Sequence, residues 1–275
     1  MNSSPSPAPD RTGGMPGAVK PGVARHGARG GFTLLAPPQA TGLDARFDEH
    51  LLEHATHRGP VASIWQAARS LVVPRTYRRF SAFDATCARF AQRGWPVAVR
   101  QTGGGIVPQG PGILNLSLAY RVEGAPMRHS EPGYQLICKV LADALAHVGI
   151  DAFPAAVEGS FCDGRYNLAV TGVHGPVKIA GTAQMWRRIP GTVQSHVGLV
   201  HALILVDVDC ARVTALANEF EAALGSARRY RSDRVTSLAA TSANARALGH
   251  DLLPTLQRHL EQQLTCCHDA LAGHP

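Results

Sequence analysis

Lysine is nearly missing from this 275-residue chain: of 27 basic side chains only Lys20, Lys139 and Lys178 are lysines, so the formal charge of +7 rests almost wholly on arginine. Long apolar runs are missing too. The longest, around His201 to Val208, is strand-sized and stops at Asp207 and Asp209, which excludes a spanning helix. The six cysteines (Cys87, Cys138, Cys162, Cys210, Cys266 and Cys267) include no CxxC pair and no His/Cys spacing suited to zinc. No metal site and no disulfide framework is therefore expected. The first thirty residues are rich in Pro, Gly, Ala and Ser and lack the continuous apolar segment of a secretory signal. They are expected to form a disordered tail, and the chain to work with free thiols in the reducing cytoplasm, away from membranes. Neither GxGxxG nor GxxxxGKS occurs in the chain. With no zinc finger, aromatic RNA-binding signature or continuous basic helix either, a nucleic-acid partner is not expected.

What is present is a chain whose hydrophobic period keeps switching between about 2 and 3.6, the pattern of an α/β (α+β) domain. VASIWQA, SLVVP, PVAVR and ILNLSLAYRV read as strands, and Asn167–Thr171 with Pro176–Gln184 reads as a hairpin across GVHG. SHVGLVHALILVDV reads as one long strand. A helix capped by Ser81, with Phe83, Cys87, Phe90 and Ala91 inward, is expected to end at Gly94. Another is expected after Ser130-Glu131-Pro132, and a third opened by Asp209. Residues 31–240 would form the main domain. Leucines at 248, 252, 256, 260 and 264 predict a helical appendage over 241–275, with a break or new start at Pro254. Two clusters, PRTYRR (Pro74–Arg79) and RRYRSDR (Arg228–Arg234), suit either a solvated surface or an acidic partner.

Three patches carry candidate chemistry. In RQTGGGIVPQGPG, three consecutive glycines after a strand can bring main-chain N–H groups close to a ligand. The strand beyond it turns Asn115 and Ser117 to one face, toward either a pocket or solvent. In VKIAGTAQ, Lys178 stands in a strand beside small residues, and a lysine in an arginine-rich chain points to a compact donor whose pKa can fall on burial. In VEGSFCDGRYNL, Cys162 lies in a loop, where nearby N–H groups and a cation favour the reactive thiolate. Lys178, sixteen residues on across a hairpin, is the candidate cation and proton acceptor, with His196 and His201 as alternative acceptors.

TGGG followed by PGILNLSL, then VEGSFCDGRYNLAV, KIAGTAQ and the late VTSL, taken in that order, resembles the biotin/lipoate protein ligase and octanoyltransferase superfamily from about Val61 to Leu238. The cysteine loop ahead of KIAG is most similar to the cysteine-dependent octanoyl/lipoyl amidotransferases. The resemblance implies mixed, largely antiparallel sheets flanked by helices. It also implies an acyl site shaped by Arg100, Thr102, Gly103, Gly104 and Gly105 with Asn115 and Ser117 nearby, Lys178 on the acyl carbonyl, Gly181 leaving room for the chain, and Cys162 as nucleophile. The implied partners are lipoyl-domain proteins, namely glycine cleavage H protein or 2-oxoacid dehydrogenase E2 subunits, with acyl carrier protein as a further donor. No cofactor is implied. The alternative within the superfamily is an ATP-dependent lipoate ligase, and Pro108-Gln109-Gly110, standing where ligases commonly carry a His-Asp pair, argues against it.

Overall fold

The computed structural model describes Met1 and residues 31–37, 46–101 and 103–267. The expected tail, Met1 apart, lies outside the described residues, and so does Thr102. In chain order the elements are β1 (Thr33–Leu34), α1 (Arg46–Arg58), β2 (Val61–Trp65), β3 (Ser70–Pro74), a 3-10 turn (Arg75–Arg79), α2 (Phe83–Gln92), β4 (Val97–Arg100), β5 (Val107–Gln109) and β6 (Ile113–Glu123). They continue with α3 (Pro126–Ala146), β7 (Phe153–Ala155), β8 (Asn167–Gly172), β9 (Gly175–Arg188), β10 (Ser195–Leu205), α4 (Cys210–Ala223), α5 (Leu238–Thr241), α6 (Ala243–Leu248) and α7 (Leu252–Cys266).

Two sheets organise these elements. Seven strands run in the order β1-β2-β6-β10-β9-β8-β7, and three in the order β4-β3-β5. Only the β1/β2 and β3/β4 pairs are parallel. The fold is thus mixed α/β with mostly antiparallel sheets. Alternation along β6 explains how one strand serves two layers. Leu114, Leu116, Leu118 and Tyr120 pack with Ile137, Leu141 and other side chains of α3, while Ile113 belongs to a second core shared by the small sheet, α2 and α4. The large sheet is therefore covered on both faces.

Helix ends depart from expectation in two places. Ser81 is exposed, and Ala82 stands at the N-terminus of α2 with no side-chain cap. Phe83, Thr86 and Phe90 make that helix's buried stripe, whereas Ala91 is exposed. Helix α3 starts at Pro126, not after Pro132, which lies inside it. A proline at the first helical position gives up an N–H that has no partner there anyway, whereas Pro132 removes one bond from an otherwise continuous ladder and so reads in sequence as a beginning. Asp209 does cap α4, accepting from Arg212 N–H at 3.0 Å.

The C-terminal leucines join the main core. Leu252, Leu256, Leu260 and Leu264 are at most 1% exposed and pack in the same cluster as α3 and the large sheet. Pro254 sits in the first turn of α7 and marks a new start. Phe32 N–H donates to Leu264 C=O at 3.1 Å, tying the residue just before β1 to the last turn of α7.

Candidate active site

The cysteine loop is bound to the hairpin that follows it. Cys162 has φ +52°, the one left-handed non-glycine residue among those described. Such a conformation costs about 1–3 kcal/mol and persists only where its surroundings impose it. Here they do so through backbone carbonyls. Lys178 Nζ donates to Phe161 C=O and, at 3.0 Å, to Cys162 C=O, while Asn167 Nδ2 donates to Cys162 C=O at 2.6 Å. Lys178 lies on β9 and Asn167 at the start of β8, so paired strands supply both donors.

Lys178 is 4% exposed. Burial away from water lowers its pKa to about 8, an effect opposed electrostatically by the neighbouring Cys162 and Asp163. The ammonium still predominates at neutral pH, with a substantial neutral minority. Gly181 makes room for that side chain: a methyl there would stand 2.9 Å from Lys178 Nζ and 3.0 Å from Cε. Gly181 also lines the cavity described below, so it borders both the lysine and the space expected to take a ligand. Val235 bridges to Lys178, and Thr236 N–H donates to Lys178 C=O at 2.9 Å, which places the VTSL stretch against the same strand.

The glycine loop meets the sulfur from the small sheet. Gly105 N–H donates to Cys162 Sγ at 2.7 Å, and Arg100 Nη2 lies 3.9 Å from it. Arg100 also folds the loop around itself, donating to Gly103 C=O at 2.8 Å and to Gly105 C=O at 2.9 Å. At Gly104, with φ +106°, an added methyl would stand 2.4 Å from Cys162 Sγ. Only glycine lets this backbone approach the sulfur so closely. Gly103 is under no such restriction, since a methyl there would meet nothing within 4 Å among the described residues.

Between the sheets lies a cavity of about 80 Å³ whose polar lining includes Cys162, Lys178, Arg100, Gln109 and His201. Val72, Val107, Phe161, Ala183, Leu203 and Leu205 make the rest of its wall mostly hydrocarbon. A mostly apolar wall with a few polar groups is the usual make-up of a small-molecule site.

Asn115 and Ser117 are fully buried but stand one layer behind that wall. Asn115 exchanges two hydrogen bonds with Gln109, at 2.8 and 3.1 Å, and Ser117 Oγ lies 2.9 Å from His201 Nδ1. The residues they hold, Gln109 and His201, do line the cavity. Burial, followed by the nearby charge of Arg100, lowers the His201 pKa to about 4, so its imidazole is neutral at pH 7. His196, the other histidine considered, is half-buried at the strand's start, and its ring hydrogen-bonds with Gln194 C=O at 3.2 Å, away from the cavity lining. Neither Asn167 nor Gln109 is a site residue in the sequence reading, which gives Asn167 only as a hairpin start and Gln109 only within Pro108-Gln109-Gly110; that each is a buried polar partner is visible only in the fold. Among the described residues, no three His, Cys, Asp or Glu side chains come together to hold a metal ion.

The Lipoyl protein ligase A/B catalytic domain family matches residues 43–252. The chain belongs to that family. An uncharacterized protein of Cupriavidus necator is 49% identical over 217 residues, covering 76% of this chain and 86% of its own. An octanoyl-(GcvH):protein N-octanoyltransferase of Kyrpidia tusciae is 36% identical over 149 residues, 53% of this chain and 49% of its own. A Geobacillus kaustophilus protein of the same name is 30% identical, and again about half of each chain is aligned. The chain spans about half the length of these octanoyltransferase relatives. A crystal structure of lipoate-protein ligase A bound with ATP superposes with a TM-score of 0.59 at 18% identity, over 86% of this chain and 85% of that one. That likeness shows the fold. Within the lipoyl protein ligase fold, this family member places Gln109 in the strand after its glycine loop and pairs it with Asn115.

Proposed function

We propose that the protein is an acyltransferase that moves an octanoyl or lipoyl group, through a thioester on Cys162, to a lysine of a lipoyl domain. The observation that carries this reading is Cys162 in the lining of a largely apolar cavity, its Sγ receiving the Gly105 N–H at 2.7 Å. The donor is a carrier protein, either a lipoyl-domain protein such as glycine cleavage H protein or an acyl carrier protein, and E2 subunits are further acceptors. The names of the octanoyltransferase relatives, which specify GcvH, support this choice.

The cavity binds the acyl chain at about 0.8 kcal/mol per methylene, so hydrocarbon burial supplies affinity and the polar groups beside Cys162 fix the carbonyl. Cys162 Sγ attacks the carbonyl carbon; the S–C bond forms and the carrier's C–N or C–S bond breaks. The thiol proton passes by way of the neutral minority of Lys178 to the leaving amine or thiol. In the second step the ε-amine of the acceptor lysine attacks the thioester, its C–N bond forms, and the released sulfur regains a proton. The main-chain N–H of Gly105 and the Lys178 ammonium oppose charge building on the acyl oxygen. Exchange between two lysyl amides is nearly energy-neutral and transfer from a carrier thioester is downhill, so no nucleotide enters either route.

The test is intact-mass spectrometry after incubation with octanoylated donor. An adduct of one octanoyl group is expected on the parent and none on Cys162→Ala, with transfer to apo-acceptor down at least about 1,000-fold in Cys162→Ser. Parental transfer by Cys162→Ser overturns the thioester route. Transfer from free octanoate with ATP would instead establish the ligase reading.

A further inference from the structure

The two arginine-tyrosine clusters, about 150 residues apart in sequence, meet beneath the glycine loop on one buried carboxylate. Glu221 of α4 is 0% exposed, among hydrophobic neighbours such as Phe220 and Leu216. Its Oε1 accepts from Tyr77 of PRTYRR and, at 2.8 Å, from Tyr230 of RRYRSDR. Its Oε2 is buried with no hydrogen-bond partner among the described residues. A carboxylate in such a place is costly compared with an apolar side chain of similar size, so stability does not account for it.

Its connections lead to the loop. The Tyr77 hydroxyl, donating to Glu221, is oriented to accept from Ile106 N–H at 3.2 Å and from Arg228 Nη1 at 3.2 Å. Arg228 Nη1 also reaches Gly104 C=O at 3.4 Å. A methyl on Gly105 would stand 2.7 Å from the Tyr230 hydroxyl, so that phenol is the surface on which Gly105 rests. Burial, reinforced by the neighbouring carboxylate, raises the pKa of both phenols, so each keeps the proton it donates. Together with Arg100 on the carbonyls of Gly103 and Gly105, side chains hold the loop on either side of Gly105 and leave its N–H to the sulfur.

We propose that Glu221 is a positioning residue: through Tyr77 and Tyr230 it fixes the height of the glycine loop, and so places the Gly105 N–H on Cys162. It touches neither sulfur nor substrate. Its expected effect on transfer rests on the function proposed above, whereas its expected effect on the reactivity of the thiol does not.

The experiment compares Tyr77→Phe, Glu221→Leu and Glu221→Gln with the parent. Three measurements are made on the full chain: alkylation of Cys162 by iodoacetamide at pH 7, followed by peptide mass with Cys162→Ala as background; kcat and KM for acyl transfer; and thermal unfolding. Tyr77→Phe and Glu221→Leu should alkylate several-fold more slowly and lose about 10- to 100-fold in kcat, with KM for the acceptor within about 2-fold. Glu221→Gln keeps an oxygen for the two phenols and should recover most of both rates. Should Glu221→Leu fail to fold, Tyr77→Phe, which removes one hydroxyl, carries the same expectations. Parental alkylation in folded Tyr77→Phe overturns the proposal. So does a Gln variant no better than Leu, or a loss of kcat that only follows the loss of folded protein. If the parent itself transfers no acyl group yet the alkylation rates still separate, the assigned function fails and the positioning role stands.

Discussion

The two faces of the large sheet are built from different materials. On the side of α3 and α7 the interior is nearly all hydrocarbon, with Leu141, Leu145, Leu256 and Leu260 fully buried against the strands. On the side of the small sheet the interior admits Tyr77, Glu221, Gln109 and Asn115, each paired by hydrogen bonds. Lys178 and Cys162 lie at the seam, anchored from the large sheet and met by the glycine loop from the small one. A core that only stabilises can do so with non-directional burial. A face that must place one N–H on one sulfur needs directional bonds, and it accepts the cost of burying polar groups to get them.

Substitutions on the two sides should therefore have separable effects. The largest is expected in the hydrocarbon layer: Leu260→Ala should lower unfolding free energy by about 2–5 kcal/mol. Urea titration measures the loss, and the fraction that remains folded should transfer acyl groups at the parental rate. If the chemistry of that folded fraction falls as well, the two layers are not separable. Next is Gly104→Ala on the polar side. The φ of +106° and the 2.4 Å approach to Sγ force the loop or the sulfur to move. Transfer should fall about 100-fold while the thermal midpoint moves little, since the lost interaction is a single placed donor. Near-parental kinetics would show that the loop's fit to the sulfur is incidental.

The smallest effect concerns the seam. The Lys178 pKa is lowered to about 8 from 10.5, so above pH 8 the unfolded chain binds a proton that the native state has released. Stability must then rise with pH across that window, because the native state is relieved of a buried charge. Relative to Lys178→Met, the parent should gain up to about 1 kcal/mol between pH 8 and pH 9 in urea midpoints converted with a common m value. Parallel curves would mean that the buried amine does not titrate there.

Regular structure was legible where one period ran long. The alternation in ILNLSLAYRV and the long β10 stretch gave the central strands, because half-buried strands repeat every two residues. The start of α3 was misplaced because proline marks both beginnings and interruptions of helices, and only the chain's neighbours tell which. Cys162, Lys178 and the glycines stood out as residue types out of place: a thiol in a loop, a lysine among arginines, three glycines after a strand. Asn115 and Ser117 were seen, but not that they act one layer back, on Gln109 and His201. Glu221 gave no signal, since an acidic residue in a helix is ordinary until its burial is known.

By itself, then, the sequence determined the local periodicities, the candidate reactive side chains and the conformational freedom that three glycines allow, all of which depend on residues a few positions apart. Tertiary structure decided which of those groups touch. The left-handed turn at Cys162 exists because Lys178 and Asn167 reach its carbonyl from a later hairpin. Tyr77 and Tyr230 share one carboxylate because α4 packs under the small sheet. Burial and hydrogen-bond direction are properties of the packed assembly, and no window of sequence contains them.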